Sequence, residues 1–378
     1  MFKNYIKIAW RNLWKNKGYS LLNIFGLAIG ITCAAMILLW VEDEVGFDKN
    51  FVKQNVVYYV PTNQQYDGEW RTFFQATPGP LAQVLKGEVP GIVDAARTKG
   101  EDLLFQVDEI SINKQGRYAD PDFLNMFSLS FVEGSIESAF EDVDAIVVSQ
   151  KTAAQLYGEN GSAIGKVIKV NNDTNYTISG VFEDLPNNVT YNFDWIAPFE
   201  RYAKGKDWML EYGALFSDTF VELSPEADYN TVNEKVKKII PQKTEDAEVY
   251  AFLHSMKDWH LRSTFESGKK VGGQIIYVKL FSIIAIIILL IACVNFMNLA
   301  TARSEKRANE VGVRKVLGSG RKGLITQFMA EAVITAALSA ALSVVLLKLL
   351  IPQFNLLIDK QLDLSLVNPV HVLTLLGI

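Results

Sequence analysis

Three long apolar runs constrain this chain more than any other feature of its sequence. They cover residues 20–41, 278–300 and 324–351, and each contains few or no charged side chains. A helix needs about 20 apolar residues to cross the hydrocarbon core of a membrane. We therefore predict a membrane protein whose α-helical transmembrane bundle has three complete spans. Residues 42–277 have an ordinary soluble composition and predict a large domain inserted between the first two spans.

The end of the chain is apolar as well. Residues 366–378 follow a short stretch, 352–365, that we expect to be a periplasmic loop. At about 1.5 Å per residue, a helix as short as residues 366–378 cannot cross about 30 Å of hydrocarbon. We therefore expect a truncated fourth span here, in a chain that is the N-terminal fragment of a longer protein.

The distribution of lysine and arginine predicts the direction of each span. Five basic residues and no acid occur in residues 1–19, whereas acids follow the first span, and a second basic cluster lies in residues 301–323. Because basic residues concentrate on the cytoplasmic side, we predict a cytoplasmic N-terminus, residues 42–277 outside, and residues 301–323 inside. Residues 1–19 also have the pattern of an amphipathic helix that lies on membrane lipids.

The inserted domain is predicted to mix helices and strands. Residues 145–148 read as a buried strand, and residues 150–157 as a helix capped by Ser149. Residues 166–182 predict a β-hairpin, and residues 230–240 predict a helix that Pro241 ends. The only cysteines lie in the spans, so this extracytoplasmic α/β domain must be stabilised by its apolar core and not by disulfides.

The sequence offers no enzymatic or cofactor site. Gly318–Gly323 matches the G-x-G-x-x-G pattern, but a helical segment precedes it where a dinucleotide site needs a strand. Gly161–Lys166 departs from a phosphate-binding loop in spacing, so we expect any ATP to be bound by a partner subunit. The histidines His254, His260 and His371 lack the spacing of metal ligands. A net charge of −5 gives no electrostatic support for binding nucleic acid.

Five residues inside the spans are candidates for contacts between helices. Gly26 and Gly30 would let another helix approach closely, although such pairs also arise by chance in membrane helices. Asn295 and Asn298 suit hydrogen bonds between helices. Glu331 is an acid within a span, which is costly and points to function. It also lies near the inner interface, where pairing with arginine or lysine is an alternative role.

The basic link over residues 301–323 is too short to be an enzyme domain, yet its sequence has helical order. From charge and spacing alone, it is either an anchor that fixes the topology or a docking element. Val311, Val313, Val316 and Leu317 would give a short helix a small apolar face, surrounded by basic side chains.

Several segments of the chain resemble the MacB/FtsX-like ABC transporter permeases. In the link and the third span, these segments are Arg303–Arg307, Asn309–Gly318 and Gln327–Glu331. In the inserted domain, Tyr118–Phe127 and Ala145–Gly158 are similar to the periplasmic core domain of that family. The resemblance implies a multi-pass protein of the bacterial inner membrane.

The resemblance also implies a partner for the link. Permeases of this family work with a cytoplasmic ABC ATPase, which implies that the link contacts that ATPase. The positions implied are Glu310, Val311, Gly312, Arg314, Lys315, Leu317 and Gly318. A homodimer, or a pseudo-dimer with a second permease half, and a periplasmic adaptor are further implied partners.

The function implied by the resemblance is transport. ATP hydrolysis by the partner would move the outer domain and thereby export or extract a peptide, antibiotic, lipid or lipoprotein. The alternative is an envelope signalling or regulatory module of the same architecture, which would sense a ligand or activate a cell-wall hydrolase. The sequence does not distinguish the two.

Overall fold

The computed structural model describes residues 11–15, 17–159, 161–244, 248–306, 313, 316 and 321–364. The chain divides into two compact units, residues 46–275 and the remainder. Its helices are α1 (Lys17–Gly46), α2 (Leu81–Glu88), α3 (Asp122–Met126), α4 (Gln150–Tyr157), α5 (Phe199–Ala203), α6 (Tyr229–Thr244), α7 (Gln274–Lys306) and α8 (Arg321–Ile358).

The strands lie in the unit formed by residues 46–275. They are β1 (Val57–Tyr59), β2 (Thr62–Tyr66), β3 (Glu69–Phe73), β4 (Thr77–Pro78), β5 (Ile92–Val107), β6 (Ile110–Ala119), β7 (Phe131–Glu133), β8 (Ala145–Ser149), β9 (Val167–Val170), β10 (Thr174–Phe182), β11 (Trp195–Pro198), β12 (Leu215–Leu223), β13 (Val249–Ala251), β14 (His254–Ser255), β15 (Thr264–Glu266) and β16 (Lys269–Gly272).

The helices α1, α7 and α8 are long and apolar enough to cross a membrane. Their most apolar windows have mean hydropathies of 2.4, 2.9 and 2.3, and only 17% of the window in α7 is buried inside the protein. Apolar surface that the protein does not cover is what a helix presents to lipid. The structure thus has the three long apolar helices that the sequence predicts.

Helices α1 and α7 run in opposite directions. Near the start of α1, the hydroxyl of Tyr19 donates to the carbonyl oxygen of Leu299, late in α7, at 2.7 Å. Near the end of α1, the ring of Trp40 packs edge-on against Phe281, early in α7, with centroids 5.1 Å apart. Successive membrane crossings require this antiparallel arrangement.

Helices α1 and α8 run in the same direction. The side-chain amide of Asn12, just before α1, donates to Glu331 in the first part of α8 at 2.6 Å. At the other end, the ammonium of Lys360 pairs with Asp43. A first and a third crossing of one membrane must be parallel, so the three helices have the directions that three successive spans need.

All three of these helices extend beyond the ends predicted from the sequence, and α1 continues to Gly46. Helix α7 continues to Lys306, and α8 continues to Ile358, so the predicted loop over residues 352–365 is helical in its first part. Pro352 lies inside α8 and removes one backbone hydrogen bond. Phe354 and Ile358 nevertheless pack against a buried apolar cluster of α1 and α8, and this packing holds the last turns. Residues 366–378 lie outside the described part of the chain.

The unit of residues 46–275, which we call the outer unit after its likeness to a periplasmic domain, is built around an 11-stranded sheet, and two smaller sheets accompany it. Six of its strands pair in a closed ring, in the order β5, β6, β11, β8, β10, β9 and back to β5. Every strand of the ring contributes to one buried cluster, which includes Phe105, Tyr118, Trp195, Ile146, Ile178 and Ile168. A closed ring leaves fewer free strand edges than an open sheet does.

Two local predictions in this unit are confirmed and one is wrong. Helix α4 has its N-cap at Ser149, which accepts a hydrogen bond from the Thr152 amide, and strands β9 and β10 form the predicted antiparallel hairpin. The predicted end of a helix at Pro241 is wrong, because α6 continues to Thr244. Pro241 falls in the last turn of α6, where the missing amide costs one bond, and the Thr244 hydroxyl bonds the Ile240 carbonyl.

Candidate functional site

The seven residues that the sequence predicts for ATPase contact lie outside the described part of the chain. They are Glu310, Val311, Gly312, Arg314, Lys315, Leu317 and Gly318. Two residues of the same segment are described, and both are helical. Val313 is 61% exposed and Val316 is 88% exposed. The apolar side chains described in this link are therefore uncovered by the chain itself.

Gly26 and Gly30 lie where α1 meets α7. A Cβ atom added to Gly30 would overlap the Cβ of Ala292, and one added to Gly26 would lie 3.3 Å from the amide nitrogen of Asn295. The absence of a side chain at Gly30 thus allows the two backbones to approach closely. The small-residue ridge of α1 lies at a contact within the chain.

The two asparagines of α7 make no hydrogen bond to the residues that the structure describes. Both side chains are exposed, and the side-chain amide of Asn295 lies beside Gly26 of α1. Asn298 lies one turn further on, on the exposed surface of α7. Their predicted bonds between helices are therefore not formed within the described chain.

Glu331 is buried between helices, with 6% of its surface exposed. One carboxylate oxygen accepts a hydrogen bond from the side chain of Asn12 at 2.6 Å, and its backbone carbonyl accepts one from the Thr335 hydroxyl at 2.8 Å. The amide of Asn12 is thus one partner of this carboxylate. This bond joins the segment before α1 to α8.

A buried polar stripe follows Glu331 along one face of α8 at four-residue spacing. Its members are Gln327, Glu331, Thr335, Ser339 and Ser343. The hydroxyls of Thr335 and Ser339 each donate to the carbonyl four residues earlier. Polar groups that are bonded within their own helix can be buried without an unsatisfied donor. The four-residue spacing is visible in the sequence and could have revealed this packing face.

An ion-pair cluster that sequence analysis missed joins the far ends of α1 and α8. The ammonium of Lys360 lies 2.5 Å from carboxylate oxygens of both Asp43 and Glu44. The side chain of Glu44 is 4% exposed, so its charge needs such a partner. In sequence, these acids appeared only as a signal of topology. Lys360, which follows the third apolar run, was the available hint.

The described part of the chain contains no cluster of three or more histidine, cysteine or acidic side chains arranged to hold a metal ion. His260 stacks on Phe47, with ring centroids 3.5 Å apart. His254 is buried in the outer unit, and His371 lies outside the described residues.

The helices and the inserted domain together define a class: a membrane protein whose chain carries a large α/β domain between its first two long apolar helices. The model of the MacB-like periplasmic core domain matches residues 20–239. The model of the FtsX-like permease C-terminal region matches residues 282–378. The chain belongs to the MacB/FtsX-like permease family.

Two relatives are macrolide export ATP-binding/permease proteins named MacB. The protein from Salmonella typhi is 22% identical over 353 residues, which cover 91% of this chain and 52% of the relative. The protein from Escherichia coli K12 is 21% identical over 358 residues, with the same coverage of 91% and 52%. The chain thus spans about half the length of these relatives.

One solved structure similar to this chain is the periplasmic region of MacB from Actinobacillus actinomycetemcomitans. It is 11% identical, covers 53% of this chain and 89% of that structure, and aligns with a TM-score of 0.41.

Proposed function

We propose that this chain is the permease part of an ABC transporter, and that its basic link transmits the work of a cytoplasmic ATPase to the outer domain. Membership of the MacB/FtsX-like family supports the proposal. The observation that carries it is the link itself. Exposed apolar side chains at Val313 and Val316 lie among basic residues, between two long apolar helices.

The chemistry of the link suits an acidic partner surface. Arg314 and Lys315 would form ion pairs with acids on the ATPase, and Gly312 would let its backbone approach closely. Val313 and Val316 would enter a shallow apolar pocket. In this proposal ATP is bound and hydrolysed by the partner, and this chain supplies no catalytic residue or cofactor site.

The proposed route of coupling runs along the helices. Movement of the link would be passed to α7, which enters the link, and to α8, which leaves it. Helix α7 follows directly on the last residues of the outer domain. The proposed cargo is a peptide, antibiotic, lipid or lipoprotein taken from the periplasm or the outer leaflet. The proposed location is the bacterial inner membrane, with the N-terminus and the link in the cytoplasm.

The link is tested by measuring ATP hydrolysis of the cognate ABC ATPase with the full chain in lipid nanodiscs. Reversing both charges with Arg314→Glu and Lys315→Glu, or filling the close approach with Gly312→Phe, is expected to remove the effect of the permease on hydrolysis. Lys15→Glu is the matched control, since it removes a basic charge from the same predicted side of the membrane, outside the link. Unchanged binding and hydrolysis in the link variants would refute the docking proposal.

The same preparation separates transport from signalling. An exporter moves a labelled peptide, macrolide or lipid in vesicles in an ATP-dependent way, and the link variants abolish that movement. A signalling or hydrolase-activating module moves none of these, yet the link variants remove its transcriptional or cell-wall response in cells. The second outcome would replace the proposed transport function by a regulatory function, and the proposed contact with the ATPase would still stand.

A further inference from the structure

A groove with apolar walls lies beside the basic end of α1. Its volume is about 260 Å³, and all of its lining belongs to the unit that contains the three long helices. Leu13, Trp14, Leu21 and Ile24 line it from α1 and the helical segment just before α1, and Leu338 lines it from α8. The walls are therefore almost wholly apolar.

The groove is open on the outside of the helices. Trp14 and Leu21 are each 59% exposed, and Leu338 is half-buried. Leu21 and Leu338 belong to α1 and α8, which are both long and apolar enough to cross a membrane. Apolar surface that such helices leave uncovered faces hydrocarbon and not water. An acyl chain therefore suits this groove better than water does.

One cation borders the groove. Lys17 lines it and is exposed, and its ammonium lies 4.7 Å from the centroid of the Trp14 ring. The face of an aromatic ring attracts a cation but carries no net charge to neutralise it. Within the described part of the chain, no acid forms a salt bridge with Lys17. Its charge is therefore available to an anion beside an apolar groove.

The neighbouring charged groups leave this end of α1 basic. Arg11 and Lys15 are exposed and add two further cations. The first acid of the chain, Glu42, lies at the opposite end of α1. On α8, Glu331 is buried, and its carboxylate accepts a hydrogen bond from Asn12 at 2.6 Å. Among the described side chains at this end of α1, basic groups therefore outnumber acids.

We propose that this groove binds an anionic phospholipid, with one acyl chain against the apolar walls and the phosphate paired with the ammonium of Lys17. Tryptophan and lysine side chains are typical of the level at which headgroups meet hydrocarbon. At that level the stem of a lysine lies along apolar surface while its ammonium reaches the headgroups. A headgroup with a net negative charge is favoured over a zwitterionic one, which carries its own cation beside the phosphate.

This site goes beyond the proposed contact between the link and an ATPase. It is formed by α1, the segment before α1, and α8, and it uses no residue of the link. Failure of the ATPase experiment would therefore leave it untouched. It also differs from the general contact between spans and lipid, because it selects one class of headgroup at one place.

Binding is tested by native mass spectrometry of the full chain in a non-ionic detergent. Dioleoyl phosphatidylglycerol and dioleoyl phosphatidylcholine are titrated separately, and the mass of each complex counts the lipids bound. Both lipids carry the same acyl chains, so a difference between them reports the headgroup. We expect the first phosphatidylglycerol to bind about five-fold more tightly than the first phosphatidylcholine, which is the effect of about one lysine on an anionic lipid.

The headgroup contact is located by removing single charges. Lys17→Gln keeps a long polar side chain without the cation, and it is expected to abolish the five-fold preference for phosphatidylglycerol. Lys17→Arg is expected to retain it. Lys15→Gln is the matched control, because it removes an exposed cation two residues away that does not line the groove. This control is expected to keep the preference.

The acyl-chain contact is located by filling the groove. Leu21→Trp places a larger side chain in the groove from an exposed position, so the fold is expected to tolerate it. It is expected to weaken the first binding event of both lipids by at least five-fold. Leu22→Trp is the matched control, because Leu22 is 67% exposed and does not line the groove.

Three results would overturn the proposal: no preference for phosphatidylglycerol in the unsubstituted chain, equal losses in Lys15→Gln and Lys17→Gln, or unchanged lipid binding in Leu21→Trp. Equal losses would assign the preference to the basic end of the chain as a whole and not to this groove. A chain that lacks residues 2–10 tests a different occupant. Binding by this shortened chain, together with none by the full chain, would assign the groove to the N-terminal segment of the chain itself.

Discussion

The imidazole of His254 combines near-complete burial with neutrality. Its exposed fraction is 3%, and desolvation lowers its pKa from about 6.5 to about 4, with a further contribution from Lys270. Asp258 acts in the opposite direction but is itself paired with Lys270 and Arg262. Folding therefore favours the neutral form of this side chain, which makes the stability of the outer unit depend on pH.

His254 contributes stability that is fully present above pH 6.5 and is lost as the pH falls toward 4. In that window the unfolded chain binds a proton that the folded chain does not, so unfolding becomes easier. The loss at pH 5 is about 2 kcal/mol. Thermal unfolding at pH 7 and pH 5 is expected to show a smaller drop in midpoint for His254→Phe than for the unsubstituted chain. Equal drops would show that other groups set the acid sensitivity.

At the scale of elements, the contact between α1 and α7 depends on the size of one residue. Gly30 leaves no space for a Cβ beside Ala292, while Gly18, on the same helix, has open space around it. Leu27, Ile31 and Ala292 form the buried cluster at this contact. Close backbone approach is a main source of attraction between membrane helices, because lipid removes the hydrophobic driving force.

Gly30→Ala is expected to destabilise the helix bundle by about 1–3 kcal/mol, since the added methyl forces α1 and α7 apart. Gly18→Ala is the matched control. It adds the same methyl into open space and is expected to be neutral or to stabilise by up to about 1 kcal/mol through helix propensity. Unfolding of the full chain by SDS titration measures both. Destabilisation of the same size in both variants would contradict a contact specific to Gly30.

At the scale of the molecule, the outer unit has its own core and its own sheets. Its strands, the closed ring and three buried clusters all lie within residues 46–275. The last part of this unit is integral to it, because β14 pairs with β1, and Met256 and Trp259 belong to a core cluster. This holds although the match to the periplasmic core domain ends at residue 239.

Residues 46–275 alone are expected to fold and to unfold cooperatively, because they contain the whole of this core. A shorter piece, residues 46–253, lacks β14, Met256 and Trp259, and is expected to lose several kcal/mol or fail to fold, as large buried side chains are removed. Far-UV circular dichroism and thermal unfolding of the two pieces provide the comparison. Aggregation of both pieces, or equal stability, would show that the unit boundary is misplaced.

Local interactions account for what could be predicted in the outer unit. The N-cap Ser149 and the hairpin of β9 and β10 depend on neighbours within a few residues, so sequence spacing suffices. The end of α6 was predicted wrongly at Pro241 because a single lost bond weighs less than the packing of Val236, Ile239 and Ile240 in the core. The same competition carries α8 past Pro352.

The candidate sites also divide into features that a local sequence pattern predicts and features that depend on distant residues. Apolar length and the positions of lysine and arginine predicted the spans and the link from the sequence alone. The partners of Glu331, Gly30 and Lys360 are far away along the chain, so no local pattern identifies them. The same is true of the groove beside Lys17, to which α8 contributes Leu338.

The sequence by itself determined that this chain has three apolar helices, with a large domain inserted between the first two, and that it belongs to a family of permeases. The length of an apolar run and the distribution of charge around it determine directly how a segment partitions into a membrane. The spans can therefore be predicted without knowledge of any tertiary contact. Only the tertiary structure decided that six strands close into a ring, that Asn12 meets Glu331, and that His254 is buried with a nitrogen that no described residue bonds. Those outcomes depend on which distant residues come together, and burial then sets the charge and bonding of each side chain.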